Sequence, residues 1–390
     1  MNKIVLKKNK TASLLRRHPW IFTGAVKFQD NSIQDGELVQ VLDENLQFLA
    51  IGHYQEEGSI CVRILSFIQE KIDVKFFQNR VQNALNLRLQ LDLLNQNNQV
   101  FRLIHGEGDF LPGLIVDYYH GVLVLQCHSY GMYLSINMLV ESFKNVLKKN
   151  LKAIYLKSND TLPGSHNIEN KYIYQKIECP YLVKENDINY LIDWENGQKT
   201  GFFIDQRENR SRLKSLANNK KVLNTFCYTG GFSLAALSGG ATLVHSVDSS
   251  PKAIEICEQN IQINGFNKNH VAFQQDAIDF VKNIQEEYDI IVLDPPAFAK
   301  SLGKRHQAVQ AYKRLNSSAI KKIKKGGLLF TFSCSQVVDK YLFQHTILSA
   351  AIDCGRDVRI LEQLHQPVDH PINIYHKEGE YLKGLILEIQ

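Results

Sequence analysis

Between Val222 and Asp294 the chain repeats one pattern: an apolar run of strand type, a small or acidic residue where the run ends, and a stretch of helical spacing. "KVLNTFCYTGG" runs from an apolar strand over 222–226 into a small-residue loop over 227–231, and "FSLAALSGGA" follows as a helix. "LVHSVDSS" puts Asp248 at the end of the next strand, "VAFQQDAIDF" puts Asp276 at a third, and "YDIIVLDPPAFAK" puts Asp294, Pro295, Pro296 and Phe298 at a fourth. Strands alternating with helices in this way form a parallel sheet, and such sheets bind ligands outside the carboxyl ends of their strands. From about Lys220 onward a parallel α/β domain is expected.

The residue types at those ends suggest a ligand. Gly230 and Gly231 allow tight turning and close approach to a helix N-terminus. The loop is not GxGxxG and lacks the GK[ST] of a P-loop. An acidic side chain at 248 suits two ribose hydroxyls, and one at 276 suits an adenine amino group. Gly, Asp, Asp and Asp-Pro-Pro at successive strand ends make a crevice for an adenosine cofactor, although either aspartate taken singly would also serve as a helix N-cap. "GGLLFTFSCSQ", from Gly326 to Gln336, adds a fifth strand with Cys334 just past its end. A structural cysteine belongs inside the apolar run, because a free thiol packs as a small hydrophobe.

The remaining chain bounds the setting. With 390 residues, 44% hydrophobic and 22% charged, it is long enough for several domains. No run is long enough to cross a bilayer, and "MNKIVLKKNKTASLLRRHPW" carries charges where a signal peptide needs apolar residues, so a cytoplasmic protein without a membrane partner is expected. Cys61, Cys127, Cys179, Cys227, Cys257, Cys334 and Cys354 form no CxxC pair, which predicts reduced thiols and no metal site. Net charge is +5, with basic clusters at Lys3, Lys7, Lys8, Lys10, Arg16 and Arg17 and again at Lys321–Lys325; each suits a polyanion or a solvated face. From Gly36 to Phe67 short alternating runs read as a small all-β module. From Lys71 to Leu94 helical spacing puts Phe76, Phe77, Val81, Leu85, Leu89 and Leu93 or Leu94 on one side. A compact α+β segment follows.

"GFFIDQRENR", "DPPAF" and "TFSCS", behind a β module containing "RRHPWIF", resemble class I S-adenosylmethionine-dependent methyltransferases. More narrowly, they resemble the 23S ribosomal RNA large-subunit cytosine-5 methyltransferases with an N-terminal PUA domain. The resemblance covers essentially the whole chain. It implies a multidomain protein: a PUA-like small β-barrel over 1–70 that binds RNA, a central α+β domain over 71–187, and a Rossmann-like methyltransferase domain over 188–390. It also implies that Phe203, Asp205, Gln206 and Arg207 lie beside the cofactor, with Tyr228, Thr229, Gly230 and Gly231 against its methionine part. Asp248 would hold the ribose, and Asp276 with Ala277 the adenine.

The same resemblance explains Cys334. Carbon 5 of cytosine is a poor nucleophile, and a thiolate adding at carbon 6 makes it an enamine-like one. Cysteine combines enough thiolate near neutral pH with the ability to leave again. Asp294 would act at N3 and the exocyclic amine, possession of cofactor contacts included, while Pro295, Pro296 and Phe298 receive an extruded base. Many RNA cytosine-5 methyltransferases carry a second cysteine after this Pro-Pro; here the stretch is "PPAFAK", so the acceptor of the carbon 5 proton stays open among Asp294, His306 and water. Cys227 is the competing thiol, read as packing beneath the loop. Two other readings stand beside this one: a methyltransferase acting on guanine N7 or another ring nitrogen, which needs no cysteine, and a non-catalytic cofactor-binding protein that grips RNA. A homodimer is left open.

Overall fold

Period-two alternation builds the N-terminal sheet. Strands β1 (Asn2–Leu6), β2 (Trp20–Phe22), β3 (Val26–Gln29), β4 (Leu38–Leu42), β5 (Phe48–Tyr54) and β6 (Ile60–Ser66), with the short helix α1 (Ala12–Leu15), line up as β2-β6-β5-β4-β1-β3. Ile4, Leu6, Val39, Val41, Val62 and Ile64 turn inward to one core. The computed structural model describes residues 1–162, 166, 168–299 and 301–390.

Helix α2 (Val74–Gln90) starts where the Asp73 carboxylate accepts the backbone N–H groups of Lys75 and Phe76. Phe76, Phe77, Val81 and Leu85 are buried as the spacing predicts, but Leu89 is 47% exposed and Arg88 is buried in its place. The reason is a specific partner: Arg88 Nη2 donates to Asp109 Oδ2 at 2.7 Å and its Nε to the Arg102 carbonyl at 2.8 Å. A cation with such partners can be buried, and it displaces the leucine from the inner face. Strands β7 (Val100–His105), β8 (Leu114–Tyr119), β9 (Val122–Cys127), β10 (Ala153–Leu156) and β11 (Lys171–Tyr174) form a second sheet, ordered β11-β10-β9-β8-β7. Helices α3 (Tyr130–Leu134) and α4 (Ile136–Leu147) lie between β9 and β10 in the chain, and Phe143 of α4 shares a core with Phe77 and Val81. Strands β12 (Tyr181–Glu185) and β13 (Ile188–Ile192) pair with each other.

The chain divides into two units. The first holds Met1–Val183, Ile192–Phe202 and Val368–Gly379; the second holds Lys184–Leu191, Phe203–Pro367 and Glu380–Gln390. In the second unit α5 (Arg207–Leu216) precedes β14 (Lys221–Thr225), α6 (Gly231–Ser238), β15 (Leu243–Asp248), α7 (Pro251–Ile263) and β16 (His270–Gln274). Then come α8 (Ala277–Lys282), β17 (Ile290–Leu293), α9 (Arg305–Lys322), β18 (Gly327–Ser333), α10 (Lys340–Cys354), β19 (Val358–His365) and β20 (Lys383–Ile389). The sheet order is β16-β15-β14-β17-β18-β20-β19. The first five strands are parallel, as expected. The sheet as a whole is mixed, because β20 enters antiparallel between β18 and β19. A further parallel strand would need another crossover helix, and no helix longer than one turn separates β19 from β20. No helix among the described residues is long and apolar enough to cross a membrane.

Candidate active site

The parallel strands bring their carboxyl ends to one edge. In lateral order β16, β15, β14, β17 and β18 are followed in the chain by, or end in, Asp276, Asp248, the loop over 226–230, Asp294 and Cys334. Neighbouring strands lie about 4.8 Å apart, so the cysteine strand stands roughly 10 Å from the glycine-loop strand, with Asp294 on the strand between.

The loop after β14 is held in a restricted conformation. Phe226, Tyr228 and Gly230 all have left-handed backbones, at φ 54°, 47° and 84°. Gly230 is the N-cap of α6, and a Cβ there would lie 2.6 Å from Cys257 Sγ. The Asn260 amide donates to the Thr229 carbonyl at 3.0 Å. Asp248 fastens the loop to β15: Oδ2 accepts the Tyr228 N–H and Oδ1 the Ser250 N–H, each at 2.9 Å. The cap of α7 is Ser250, not Asp248. Asp276, by contrast, does cap α8, its Oδ1 accepting the Asp279 N–H at 3.0 Å, and Ala277 begins that helix buried.

Phe203 approaches the loop from before α5, its ring edge-on to Tyr228 at 5.2 Å. Asp205, Gln206 and Arg207 are all buried. Asp205 Oδ2 accepts the Tyr381 hydroxyl at 2.8 Å, Gln206 Oε1 accepts the Asn209 amide at 2.6 Å, and Arg207 Nη2 lies 3.4 Å from Glu208 Oε1. Their arrangement depends on Arg210, the last residue of the GFFIDQRENR stretch and one to which the resemblance gives no role. Arg210 donates to the Phe203 carbonyl at 2.7 Å and forks onto buried Glu185 at 2.8 Å through both Nε and Nη2.

At the other end of the edge, Cys334 is half-buried between Ser333 and Ser335, both fully buried. The Ser335 hydroxyl donates to the Ala299 carbonyl at 2.6 Å and accepts the Ala299 N–H at 3.3 Å. It ties the Asp294–Ala299 loop to the cysteine loop. Within that loop Pro295 is buried, Pro296 exposed, and Phe298 half-buried with its ring 4.7 Å from Tyr312.

Lys383, on β20 opposite Ser333, reaches the cysteine loop from a part of the chain that the motifs do not touch. Its Nζ donates to the carbonyls of Ser335 and Tyr381, each at 2.7 Å. Burial lowers its pKa to about 8, against the opposing pull of Cys334, Glu380 and Asp339. Cys227 sits in a different setting. Burial, with Cys257 and Asp248 nearby, pushes its pKa well up and keeps the thiol protonated. Cys61, pushed up to about 11 by burial, and Cys257 are also enclosed. Glu185 and Lys383 have no signal in local spacing, and nothing in the GFFIDQRENR stretch shows that Arg210 meets Glu185, since each finds its partner through tertiary pairing.

Comparison with known proteins agrees with this architecture. Residues 4–67 match the PUA-like domain family and residues 171–375 match the S-adenosylmethionine-dependent methyltransferase family. Ribosomal RNA large subunit methyltransferase I of Shigella dysenteriae serotype 1 is 37% identical, over 99% of this chain and 98% of its own length. The enzyme of that name from Escherichia coli O139:H28 is 37% identical over 99% of each chain. Two solved structures share the fold across 100% of both chains at 23% identity: a candidate SAM-dependent methyltransferase from Streptococcus mutans, with a TM-score of 0.85, and SMU.776 complexed with SAH, with a TM-score of 0.86. The chain thus carries a PUA-like domain and belongs to the S-adenosylmethionine-dependent methyltransferase family, together with the enzymes named ribosomal RNA large subunit methyltransferase I.

Proposed function

We propose that the chain forms 5-methylcytidine in 23S ribosomal RNA, in the cytoplasm, through a covalent bond between Cys334 and carbon 6 of an extruded cytosine. The observation that carries the reading is the lateral order of strand ends, with acidic and glycine ends on one side and Asp294 beside the cysteine on the other. The substrate class is supported by the names of the relatives, which are ribosomal RNA methyltransferases. Residues 1–70 would grip RNA, 71–187 form the middle domain and 188–390 carry the chemistry.

The donor set fits S-adenosylmethionine. Each Asp248 oxygen accepts one backbone N–H, and a carboxylate oxygen has capacity for two hydrogen bonds, which leaves acceptors for both ribose hydroxyls. Asp276 and Ala277 would meet the adenine. Tyr228, Thr229, Gly230 and Gly231, with Phe203, Asp205, Gln206 and Arg207, would surround the methionine, and Asp294 would border the transferred group. When bound, the cofactor supplies an electrophilic methyl group.

Cys334 attacks carbon 6 as a thiolate, and the electron pair of the carbon 5–carbon 6 double bond moves toward carbon 5 and N3. Asp294, as the carboxylic acid, donates to N3, where negative charge develops, and accepts from the exocyclic amine. Once carbon 5 carries the methyl, transfer of its proton to a base, Asp294, His306 or water, restores the double bond and expels the sulfur as thiolate. Lys383 provides a cation beside that sulfur. Pro295 and Pro296 stiffen the loop under the base, and Phe298 borders it.

The test is transfer of labelled methyl to unmodified large-subunit rRNA, with the product nucleoside identified by mass spectrometry. Wild type should make 5-methylcytidine, and Cys334→Ala should bind cofactor but make none. Activity retained in the variant, or a methylated guanosine as product, would sink the reading.

A further inference from the structure

A second site lies in the first unit, built entirely from residues of that unit. A cavity of about 350 Å³ is lined on the β6 side by Arg17 and Phe67, on the α2 side by Arg80, and elsewhere by Glu107, Phe110 and Tyr375. Its volume is at the lower end of the range for small-molecule pockets, enough for one nucleotide-sized group. Each arginine lies over an aromatic ring: Arg17 is 5.4 Å from the Phe67 centroid, and Arg80 is 5.6 Å from that of Phe110. Phe110 and Tyr375 are 52% and 46% exposed. A lone exposed ring is ordinary, but two converging on one cavity beside two guanidinium groups mark a recognition surface.

We propose that this cavity takes one unpaired nucleotide of the RNA, with its base against Phe110 and Tyr375 and its phosphate at Arg17. The proposal rests on the RNA reading above and adds a place for a nucleotide other than the one that reacts. Charge supports this occupant. Two arginines face two carboxylates, Glu70 and Glu107, so the cavity is not a simple anion trap. Such a lining matches a ligand with a phosphate at one end and hydrogen-bond donors at the other, as an adenine, cytosine or guanine nucleotide has. Glu107 Oε1 accepts Trp20 Nε1 at 2.7 Å and Glu70 Oε1 accepts the Ser66 hydroxyl at 2.5 Å, which orients both carboxylates; since a carboxylate oxygen has capacity for two hydrogen bonds, Glu70 can still read the base amino group. Unpaired bases are bound in this way, stacked on aromatic rings and guanidinium planes.

The test uses the full chain and fluorescein-labelled ten-residue oligoadenylate and oligouridylate, with affinity read by anisotropy across a range of salt. Tyr375→Ala and Phe110→Ser, at half-exposed positions, should melt like wild type and each weaken oligoadenylate binding about 5- to 100-fold, the range for losing one base stack. Arg17→Gln should make the slope of log affinity against log salt shallower by about 0.7, the value for one phosphate contact on a single strand. Glu70→Gln should narrow the preference for oligoadenylate over oligouridylate. The proposal is overturned if both aromatic variants bind oligoadenylate as wild type does, if the wild type prefers a duplex of equal length, or if an acidic peptide competes for the cavity better than RNA. Because the readout is binding, it separates from the proposed reaction. A protein that binds through these residues but makes another nucleoside refutes only the cytosine-5 reading, and one that makes 5-methylcytidine while ignoring these variants refutes only the cavity.

Discussion

Replacing Lys383 with methionine should separate stability from chemistry. The buried ammonium has its pKa lowered from 10.5 to about 8. At ~1.4 kcal/mol for each pKa unit, holding it charged at pH 7 costs the folded state at most about 3.5 kcal/mol. Methionine removes that cost but leaves the carbonyls of Ser335 and Tyr381 without this donor, at roughly 1–3 kcal/mol each. The two effects oppose each other, so the variant should remain folded at neutral pH. The sign with pH follows from the lowered value. Between about 8 and 10.5 the unfolded chain still binds the proton and the folded chain does not, so wild type gains stability with rising pH across that window and Lys383→Met does not. The chemical effect runs the other way. A cation beside a thiolate stabilises it, and its removal should slow alkylation of Cys334 by iodoacetamide at pH 7 by about tenfold or more. That gap should close as pH rises through about 8, where wild type loses the same charge, while Glu380 and Asp339 remain near position 383 and Tyr312 near the thiol in both proteins. Lys383→Arg should restore much of the rate. If the alkylation profiles of wild type and Lys383→Met superimpose, the lysine merely pins two carbonyls and the electrostatic reasoning is wrong.

Other substitutions probe the frame of the site. Gly230→Ala combines a left-handed backbone with a Cβ 2.6 Å from Cys257 Sγ, and urea titration should show a loss of about 2–4 kcal/mol. Ser335→Ala removes both hydrogen bonds to Ala299; a loss of about 2–5 kcal/mol is expected, together with a fall in kcat larger than any change in cofactor affinity, because the loop of Asp294 is released from that of Cys334. Glu185→Ala strands the Arg210 guanidinium and should cost about 3–5 kcal/mol, whereas Arg210→Met with Glu185→Leu should recover much of it; equal losses in the single and double variants would show that packing, not charge, sets the cost.

The positions of Gly230, Asp248, Asp276, Asp294 and Cys334 were legible in the sequence because strand and helix periodicity is local. A parallel sheet then turns five chain positions into five neighbours along one edge. Helix α2 was legible for the same reason, with its one error at Leu89, where a distant carboxylate made Arg88 the buried residue. The antiparallel entry of β20 was not legible, nor were Lys383 under the cysteine loop, Tyr381 on Asp205, Glu185 holding Arg210, or the inclusion of Val368–Gly379 in the first unit. Each of these depends on pairing between segments far apart in the chain, whose free energy comes from burial and from satisfying buried charges. Local spacing carries no trace of such a pairing. The sequence alone therefore determined which residues stand at the strand ends, and only the tertiary structure decided which charges and hydrogen bonds surround them.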